Sequence, residues 1–467
     1  MQGAERFSRV NLLADPLYGY IEITKPQLPG ASCERDLLDS PWLQRMRKIH
    51  QLQSTWWVFP TAEHTRFSHL LGSMHLASSF AHQIDSSLRA AFPDAPSPAL
   101  VEETLRIAGL LHDVGHGPFG HFFDHEYLQQ YQMDHEDIGR HMVLNELADL
   151  ISSQGASPAG PFAPGEHIDP RWVAWIMAPA ELEGYTPPGW LAACKPILCG
   201  PATIDNLDYV RRDAYMCGVS LGAVDVQRLL HYTFVTNGTT ALHNNATGAL
   251  ELFLVARLYM YMQVYLHRTG RRFDLSMHEV FGDTISQLLP GKPTEHMEIY
   301  LDLTDWSLLE AVRTWKHEPP GSEKRRLGDA WHRIVSRDLP WTLAHEALVQ
   351  SGADITHLEQ AIRSELPSSL SGLSFVVDVA STSIAPYNPM HEKGMVAIYD
   401  PLQDGVVLSR TADLISRLPQ YNQMVRIFTK ETQHITALSV ASRQVLAPVQ
   451  SSSRGALDPL QGVPLAG

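Results

Sequence analysis

The spacing of apolar residues predicts helices along most of the first 335 residues. Val101, Leu105 and Leu111 recur at helical intervals, so their segment is expected to be an amphipathic helix packed on a core. Gly115 and Pro118 follow, and glycine and proline end helices. Similar apolar stripes begin shortly after residues 40 and 66. The pattern therefore predicts an all-helical domain.

The pattern of residue types changes from about residue 340, where short runs of β-branched and aromatic residues appear, for example at 375–380 and 425–429. These runs predict strands. The sequence therefore predicts a mainly α fold, with an all-helical domain over residues 1–335 and a smaller α+β region over 336–440.

Two further segments are rich in small and polar residues. Residues 152–170 contain many Ser, Gly and Pro residues and are expected to form a flexible insertion. Residues 441–467 have a similar composition and are expected to form a disordered tail.

Composition narrows the classes of function. The formal net charge is −15, which argues against a general nucleic-acid-binding protein. The four cysteines lack zinc-site spacing, so reduced thiols are expected. The N-terminus lacks the pattern of a signal peptide, and no apolar run approaches the roughly 18 residues that cross a membrane. We expect a cytoplasmic protein without membrane partners.

Histidine and aspartate are concentrated where the predicted helix of residues 101–111 ends. The residues concerned are His112, Asp113, His116, His121 and Asp124. An adjacent His–Asp pair supplies two metal ligands from one turn, provided that other elements supply the rest. His135, in the next predicted helix, is a candidate acid or base because histidine titrates near neutrality, although a surface histidine fits the same position.

Two other stretches repeat this chemistry. His69 lies at the start of a helix beside Arg66, which suits an oxyanion near a metal, although an isolated histidine is more often structural. A later helix carries five polar residues on one face, which favours a site over a solvated surface: Asp205, Asp208, Tyr209, Arg212 and Asp213. Arg257 and Tyr265 recur on one face of a further helix, a pattern that suits a base and its phosphates but also fits packing with extended arginines.

Taken together, His69, His112-Asp113 and Asp205 resemble the signature of the HD phosphohydrolase superfamily. The segments from His64 to His69, from Gly115 to Asp124 and from Asp205 to Asp213 are similar to those of its deoxynucleoside triphosphate triphosphohydrolases. The resemblance covers roughly residues 10–285. It implies hydrolysis of a deoxynucleoside triphosphate to a deoxynucleoside and inorganic triphosphate.

The resemblance also implies a role for each matching residue. His69, His112, Asp113 and Asp205 would ligate one divalent ion, such as Mn, Mg, Fe, Zn or Co. His121, Asp124 and His135 would form the catalytic group. The substrate would be bound by Gln51, Leu52, Arg66, His116, Asp208, Tyr209, Asp213, Arg257 and Tyr265.

Regulation and assembly follow from the same resemblance. Asp39, Gln44 and Arg47 match a regulatory nucleotide site, so a nucleotide activator and a homo-oligomer (dimer, tetramer or hexamer) are expected. Two departures concern the substrate site: Asn206 replaces a phosphate-binding lysine, and residues 53–55 replace a glycine run near the base. They affect nucleotide preference more than reaction type.

Two alternatives stay open. The first is another HD phosphohydrolase, acting on nucleoside monophosphates or cyclic dinucleotides. The second is a nucleotide-sensing module without catalysis. No downstream Gly-Tyr-Pro motif of the cyclic dinucleotide type is found near the site, and the intact set of histidines and aspartates argues against the sensor.

Overall fold

Two long helices form the centre of the larger core. Helix α3 (Arg66–Ala91) packs extensively against helix α4 (Pro98–Leu111). Helix α4 begins at Ser97, whose hydroxyl accepts a hydrogen bond from the Leu100 amide, with Pro98 in the first helical position. The helix is buried on nearly all sides, because neighbouring elements also cover its polar face.

The structure is a computed structural model that describes residues 8–26, 31–200, 202–222, 224–350, 357–383, 396–409 and 421–451. Its remaining α-helices are α1 Glu34–Leu38, α2 Pro41–Arg45, α5 His121–Glu126, α6 His135–His141, α7 Ala148–Ser152, α8 Pro170–Ile176, α9 Gly189–Cys194, α10 Ile204–Cys217, α11 Val226–His231, α12 Thr247–Met260, α13 Arg268–His278, α14 Phe281–Leu288, α15 Met297–Asp302, α16 Asp305–Trp315, α17 Glu323–Val335, α18 Leu358–Glu365 and α19 Ile435–Ser451. The strands are β1 Val10–Asp15, β2 Gly19–Thr24, β3 Ala156–Ser157, β4 Gly160–Pro161, β5 Thr233–Thr236, β6 Thr239–His243, β7 Thr342–Gln350, β8 Phe375–Ser383, β9 Val396–Asp400, β10 Gly405–Ser409 and β11 Tyr421–Thr429. The predicted mainly α fold is confirmed.

The C-terminal strands belong to two different sheets. Strands β7, β11 and β8 form an antiparallel sheet in that order, and helices α18 and α19 pack with it around a second, smaller core. Strands β9 and β10 instead extend the β5–β6 hairpin, with β9 parallel to β6. Part of the predicted α+β region therefore continues a sheet that begins within the helical part of the chain.

The β5–β6 hairpin turns at Asn237 and Gly238, which have φ values of 51° and 76°. A two-residue Asn-Gly turn with positive φ at both positions matches the twist of antiparallel strands. The hydrophobic pattern did not predict these two strands.

The segment expected to be a flexible insertion is instead bound to helix α4. Residues 156–161 form the small β3–β4 hairpin, and the buried Glu102 carboxylate accepts hydrogen bonds from the Ser157 hydroxyl and the Ala159 amide. Glu166 accepts hydrogen bonds from the amide and hydroxyl of Ser97 at the start of α4. The prediction of flexibility failed because composition does not show buried acceptors elsewhere in the chain.

The predicted disordered tail is wrong for its first residues. Helix α19 continues to Ser451, with Leu438, Ala441 and Leu446 buried in the smaller core. The rest of the predicted tail, residues 452–467, lies outside the described residues.

The segment predicted to carry Arg257 and Tyr265 on one helical face is not one regular helix. Helix α12 passes into a wide π-helical turn at Tyr261–Tyr265, and α13 begins at Arg268. Across the described residues, a membrane-spanning length of apolar helix arises only if Asn244–Tyr265 and Arg268–His278 are taken together, and this pair is bent by 60°; no single helix qualifies.

The hydrogen bonds that join Glu102 on α4 to the β3–β4 hairpin can be tested through their pH dependence. Burial alone would raise the pKa of Glu102, but His82, Arg106 and two serine hydroxyls lower it to about 2. Because the folded pKa lies below the unfolded value of about 4.3, the carboxylate stabilises the fold above pH 4.3 and loses this effect as the pH falls towards 2. We expect Glu102→Gln to lower the free energy of unfolding by roughly 3 kcal/mol at pH 7 and by much less at pH 3, as measured by urea denaturation.

Ser157→Ala is the matched control, since it removes one donor and keeps the carboxylate. Its expected cost is about 1 kcal/mol. A Glu102→Gln cost independent of pH would contradict the electrostatic account.

Candidate metal and phosphate site

Three helices bring four predicted metal ligands to one point. His69 lies on α3, His112 and Asp113 follow the end of α4, and Asp205 lies in the first turn of α10. His69 Nε2 is 3.1 Å from Asp205 Oδ1 and 3.3 Å from His112 Nε2. His112 Nε2 is 3.7 Å from oxygens of both Asp113 and Asp205. Ligand atoms at such separations can surround one ion with bonds of about 2.0–2.2 Å.

Hydrogen bonds on the far side of each ring define the tautomers of the two histidines. His112 Nδ1 lies 2.8 Å from the Gly109 carbonyl oxygen, which can only accept, so this nitrogen carries the proton. His69 Nδ1 donates in the same way to Asp208 Oδ2 at 2.8 Å. In the neutral rings both Nε2 lone pairs therefore face each other and two carboxylates. This donor set fits a divalent cation.

The close approach of α10 to α3 depends on Gly72. A Cβ at this position would overlap Asp208 Oδ1 and one nitrogen of Arg212. The absence of a side chain lets Asp208 reach His69, one turn earlier on α3. This arrangement of the metal ligands therefore requires a residue without a side chain at position 72.

Charges around Asp113 keep it ionised. Burial would raise its pKa, but His112 and Arg66 lower it to about 2. Arg66 Nη1 donates directly to Asp113 Oδ2, whereas the buried Arg66 Nε has no hydrogen-bond partner among the described residues. This guanidinium therefore contacts a metal ligand and retains a donor for another anion.

A second group lies beside the metal ligands. Asp124 Oδ2 accepts hydrogen bonds from His135 Nδ1 at 2.7 Å and from His121 Nδ1 at 3.3 Å. Burial would lower the pKa of His135, but the carboxylates of Asp124 and Asp113 raise it to about 9. His135 is therefore charged at neutral pH, and its Nε2 lies 3.8 Å from Asp113 Oδ1. The His121 side chain is 62% exposed, in the cavity described next.

A cavity of about 1090 Å³ connects these groups with most of the predicted substrate residues. Its surface includes Gln51, Leu52, Arg66, Tyr209, Asp213, Arg257 and Tyr265. Arg257 Nε donates to the Tyr209 hydroxyl at 2.9 Å, and in the described part of the chain no group accepts a hydrogen bond from its buried Nη1. Tyr265 donates its hydroxyl to Asp213 Oδ2 at 2.7 Å.

Two residues expected to bind substrate lie behind this surface. Asp208 is fully buried and accepts hydrogen bonds from His69, Arg212 and the Tyr18 hydroxyl, so it lies behind a predicted metal ligand rather than at the cavity surface. The sequence did not predict this depth, because a helical face shows which residues share a side but not how deep each lies. His116 is also fully buried, with its Nε2 3.4 Å from Asp113 Oδ1. Burial and the charge of Arg66 lower the pKa of His116, so this ring is neutral.

The three residues assigned to a regulatory site lie near the start of the chain and away from the cavity lining. Asp39 is exposed, and Arg47 donates to Gln44 Oε1 and stacks on the Phe67 ring. The regulatory role of Asp39, Gln44 and Arg47 stays a prediction.

Several cavity residues were missed by sequence reasoning, and two of them are charged residues on one helix. Arg271 and Asp274, on α13, line the cavity and form an ion pair. Their i, i+3 spacing was the available signal, but such pairs are common on solvated helices.

Comparison with known proteins agrees with this geometry. Residues 66–157 match the HD domain, and residues 224–362 match the HD associated region. The chain therefore contains an HD domain and is similar to the HD phosphohydrolase superfamily. HD domains are metal-dependent, and the cluster of His69, His112 and Asp205, with Asp113 beside it, fits that requirement.

Particular relatives refine the comparison. The uncharacterised protein YwfO of Bacillus subtilis is 25% identical over 72% of this chain and 72% of its own length. The deoxynucleoside triphosphate triphosphohydrolase SAMHD1 of Gallus gallus is 28% identical over 70% of this chain, but the chain spans only 54% of that protein. A crystal structure of a hypothetical protein from Aquifex aeolicus has a TM-score of 0.67 over 92% of this chain and 99% of its own, at 22% identity, and shows the same fold. The resemblance to the HD triphosphohydrolase branch is confirmed.

The role of Asp208 can be tested through metal affinity. Asp208→Asn keeps the shape but weakens the acceptor that orients His69, so we expect Mn²⁺ affinity to fall about 10- to 100-fold. Asp213→Asn is the control on the same helix, because Asp213 pairs with His64 and Tyr265. Both variants would be titrated with Mn²⁺ by calorimetry. Equal losses of affinity in the two variants would contradict the assignment.

Proposed function

We propose that this HD phosphohydrolase hydrolyses deoxynucleoside triphosphates to deoxynucleosides and inorganic triphosphate. The observation that carries the proposal is a pair of guanidinium groups, Arg66 and Arg257, that line one cavity with the metal ligands and each bury a nitrogen (Nε and Nη1) that has no hydrogen-bond partner among the described residues. A buried N–H without an acceptor is costly, and a bound oxyanion would remove that cost. Two such cations suit a chain of phosphates better than a single phosphate.

Each group of the site has a different role in cleaving the bond between the α-phosphorus and the 5′-oxygen. A bound divalent ion would polarise a phosphate oxygen at its ligands. His135, charged and held by Asp124, stabilises negative charge on the α-phosphate. His121, the more exposed of the two histidines bound to Asp124, gives a proton to the leaving 5′-oxygen, while water supplies the new oxygen on phosphorus.

The sugar would lie between the phosphate-binding cations and the rest of the cavity. Asp213 accepts hydrogen bonds from Tyr265 and pairs with His64, so its carboxylate is held at the cavity surface and can accept one more from a sugar hydroxyl. The Tyr265 ring is fixed by the same bond. A fixed ring leaves little room beside a deoxyribose, which supports selection against a 2′-hydroxyl.

The alternatives differ in their products. A monophosphatase or a cyclic dinucleotide hydrolase would release orthophosphate or linear dinucleotides, and neither requires the second cation, Arg257. A sensor would bind nucleotide without turnover. The retained His121–Asp124–His135 group supports catalysis, because a sensor needs no acid beside its metal.

The reaction itself is the first test. The purified protein would be incubated with Mn²⁺, Mg²⁺, Fe²⁺ or Co²⁺ and each of eight ribo- and deoxynucleoside triphosphates, alone and in mixtures that allow for an activator. We expect deoxynucleoside and triphosphate in equal amounts by chromatography, little turnover of ribonucleotides, and loss of activity in Asp113→Ala. Orthophosphate with a diphosphate would place cleavage at the γ-position and overturn the proposal.

The pH dependence tests the role of His135. Its charged form is favoured up to its pKa of about 9, so activity should persist at mildly alkaline pH and fall as the pH rises through that value. Asp124→Asn removes the carboxylate that raises this pKa, and we expect the alkaline limb of the kcat profile to move to lower pH. An unmoved limb in the variant would assign it to another group.

A further inference from the structure

Part of the cavity surface is polar and is not yet used by the proposed function. We name it the end wall: Gln53 and Ser54, from the loop before α3, with Arg271 and Asp274, from α13. Gln51 and Leu52, which the resemblance places near the base and sugar, directly precede this loop. The end wall is therefore positioned to meet the base.

Its charge supports the same placement. Arg271 pairs with Asp274 and with Asp378 on strand β8, so one cation faces two carboxylates. A group with net negative charge repels phosphates, whereas Arg66 and Arg257 attract them. The charges therefore favour the base, and not the triphosphate, beside Arg271.

The carboxylate of Asp274 is engaged by the end wall itself. Its Oδ1 accepts hydrogen bonds from Ser54 Oγ at 2.6 Å and from Gln53 Nε2 at 3.1 Å, and its Oδ2 accepts one from Arg271 Nη1 at 2.8 Å. Asp274 thus holds the loop and the guanidinium together.

The guanidinium of Arg271 is held but not saturated. Its Nε and Nη2 donate to the two oxygens of Asp378 at 3.1 Å and 2.7 Å, and its Nη1 donates to Asp274. An arginine carries five N–H donors, so among the described residues one donor on each of the two terminal nitrogens is left without an acceptor. Two carboxylates fix the plane of the guanidinium and Arg271 lines the cavity, so these donors are available to a ligand.

We propose that Arg271 is a specificity-determining residue that selects bases with a keto oxygen at C6 of guanine or C4 of thymine over bases with an amino group at the corresponding atom, C6 of adenine or C4 of cytosine. This inference rests on the proposed function. A keto oxygen accepts from the free N–H groups, and guanine adds the acceptor N7 beside its O6. An amino group would place a donor against a donor and leave the guanidinium unpaired.

The same contacts give the C-terminal sheet a part in recognition. Asp378 is buried on β8 and fixes the plane of Arg271 through two hydrogen bonds, while Asp274 supplies the third. Asp378 is a positioning residue, since it acts on the base through Arg271.

A competition assay tests the inference. The protein would receive the four deoxynucleoside triphosphates in equimolar mixture, so that all substrates share one metal and one state of activation. The initial ratios of released deoxynucleosides then report relative kcat/KM. We expect deoxyguanosine to exceed deoxyadenosine by about tenfold, the discrimination typical of a bidentate arginine contact, and thymidine to exceed deoxycytidine by a smaller factor.

Variants separate recognition from a structural role. Arg271→Met should bring both ratios close to one, and Arg271→Lys should do so in part, because lysine lacks the planar fork. Asp378→Asn should reduce the ratios in the same direction. Arg313→Met is the matched control: Arg313 is exposed and contacts Glu310 on its own helix, so the ratios should not change. Melting temperatures of all variants would identify any that fail to fold.

The outcomes are distinguishable from those of the proposed function. Equal use of keto and amino bases by the natural protein, or unchanged ratios in Arg271→Met, would overturn the inference while leaving triphosphate release intact. If no triphosphate is released at all, the proposed function fails. Titration of the melting temperature with non-hydrolysable dGTP and dATP analogues then decides the inference, and equal affinities would overturn it.

Discussion

The buried carboxylate of Asp208 is the interaction on which the site depends. Its oxygens accept hydrogen bonds from His69, Arg212 and the hydroxyl of Tyr18, which lies in the turn between β1 and β2. A buried charge without such partners would cost several kcal/mol or more. The three elements that supply the partners are therefore held together, and the metal-facing nitrogen of His69 is aimed by the same contacts. Arg212 extends the set to Asp15 at the end of β1.

The distribution of charge explains how an acidic protein can accept a polyanion. Cations concentrated at Arg66 and Arg257, together with the charged His135, face the part of the cavity beside the metal ligands. The carboxylates of Asp274 and Asp378 instead pair with Arg271. An uneven distribution of charge around a cavity orients a long anionic ligand before any specific contact forms, and low-dielectric walls strengthen this effect. The net charge of the whole chain gives no information about such a local gradient.

Some of this arrangement could be predicted from the sequence, and the reasons are physical. Residues at helix ends, such as His69, His112 and Asp205, share a recognisable motif, and helix packing brought them together as expected. Depth within the core is harder to predict, because Asp208 and Tyr209 are neighbours on one helix yet only Tyr209 reaches the cavity. The Asn237-Gly238 pair is typical of a hairpin turn, but an analysis of hydrophobic periodicity does not detect it. The contact between Arg271 and Asp378 joins residues more than 100 positions apart, and no local pattern encodes it.

The π-helical turn at Tyr261–Tyr265 has a consequence for where the side chains on its two sides can reach. The turn ends at Leu266, His267 is extended, and the next helix begins at Arg268 with a bend of 60°. Arg257 lies before this break, whereas Arg271 and Asp274 lie after it. The two arginines therefore belong to two helices with different axes, and both can line one cavity without sharing a helical face.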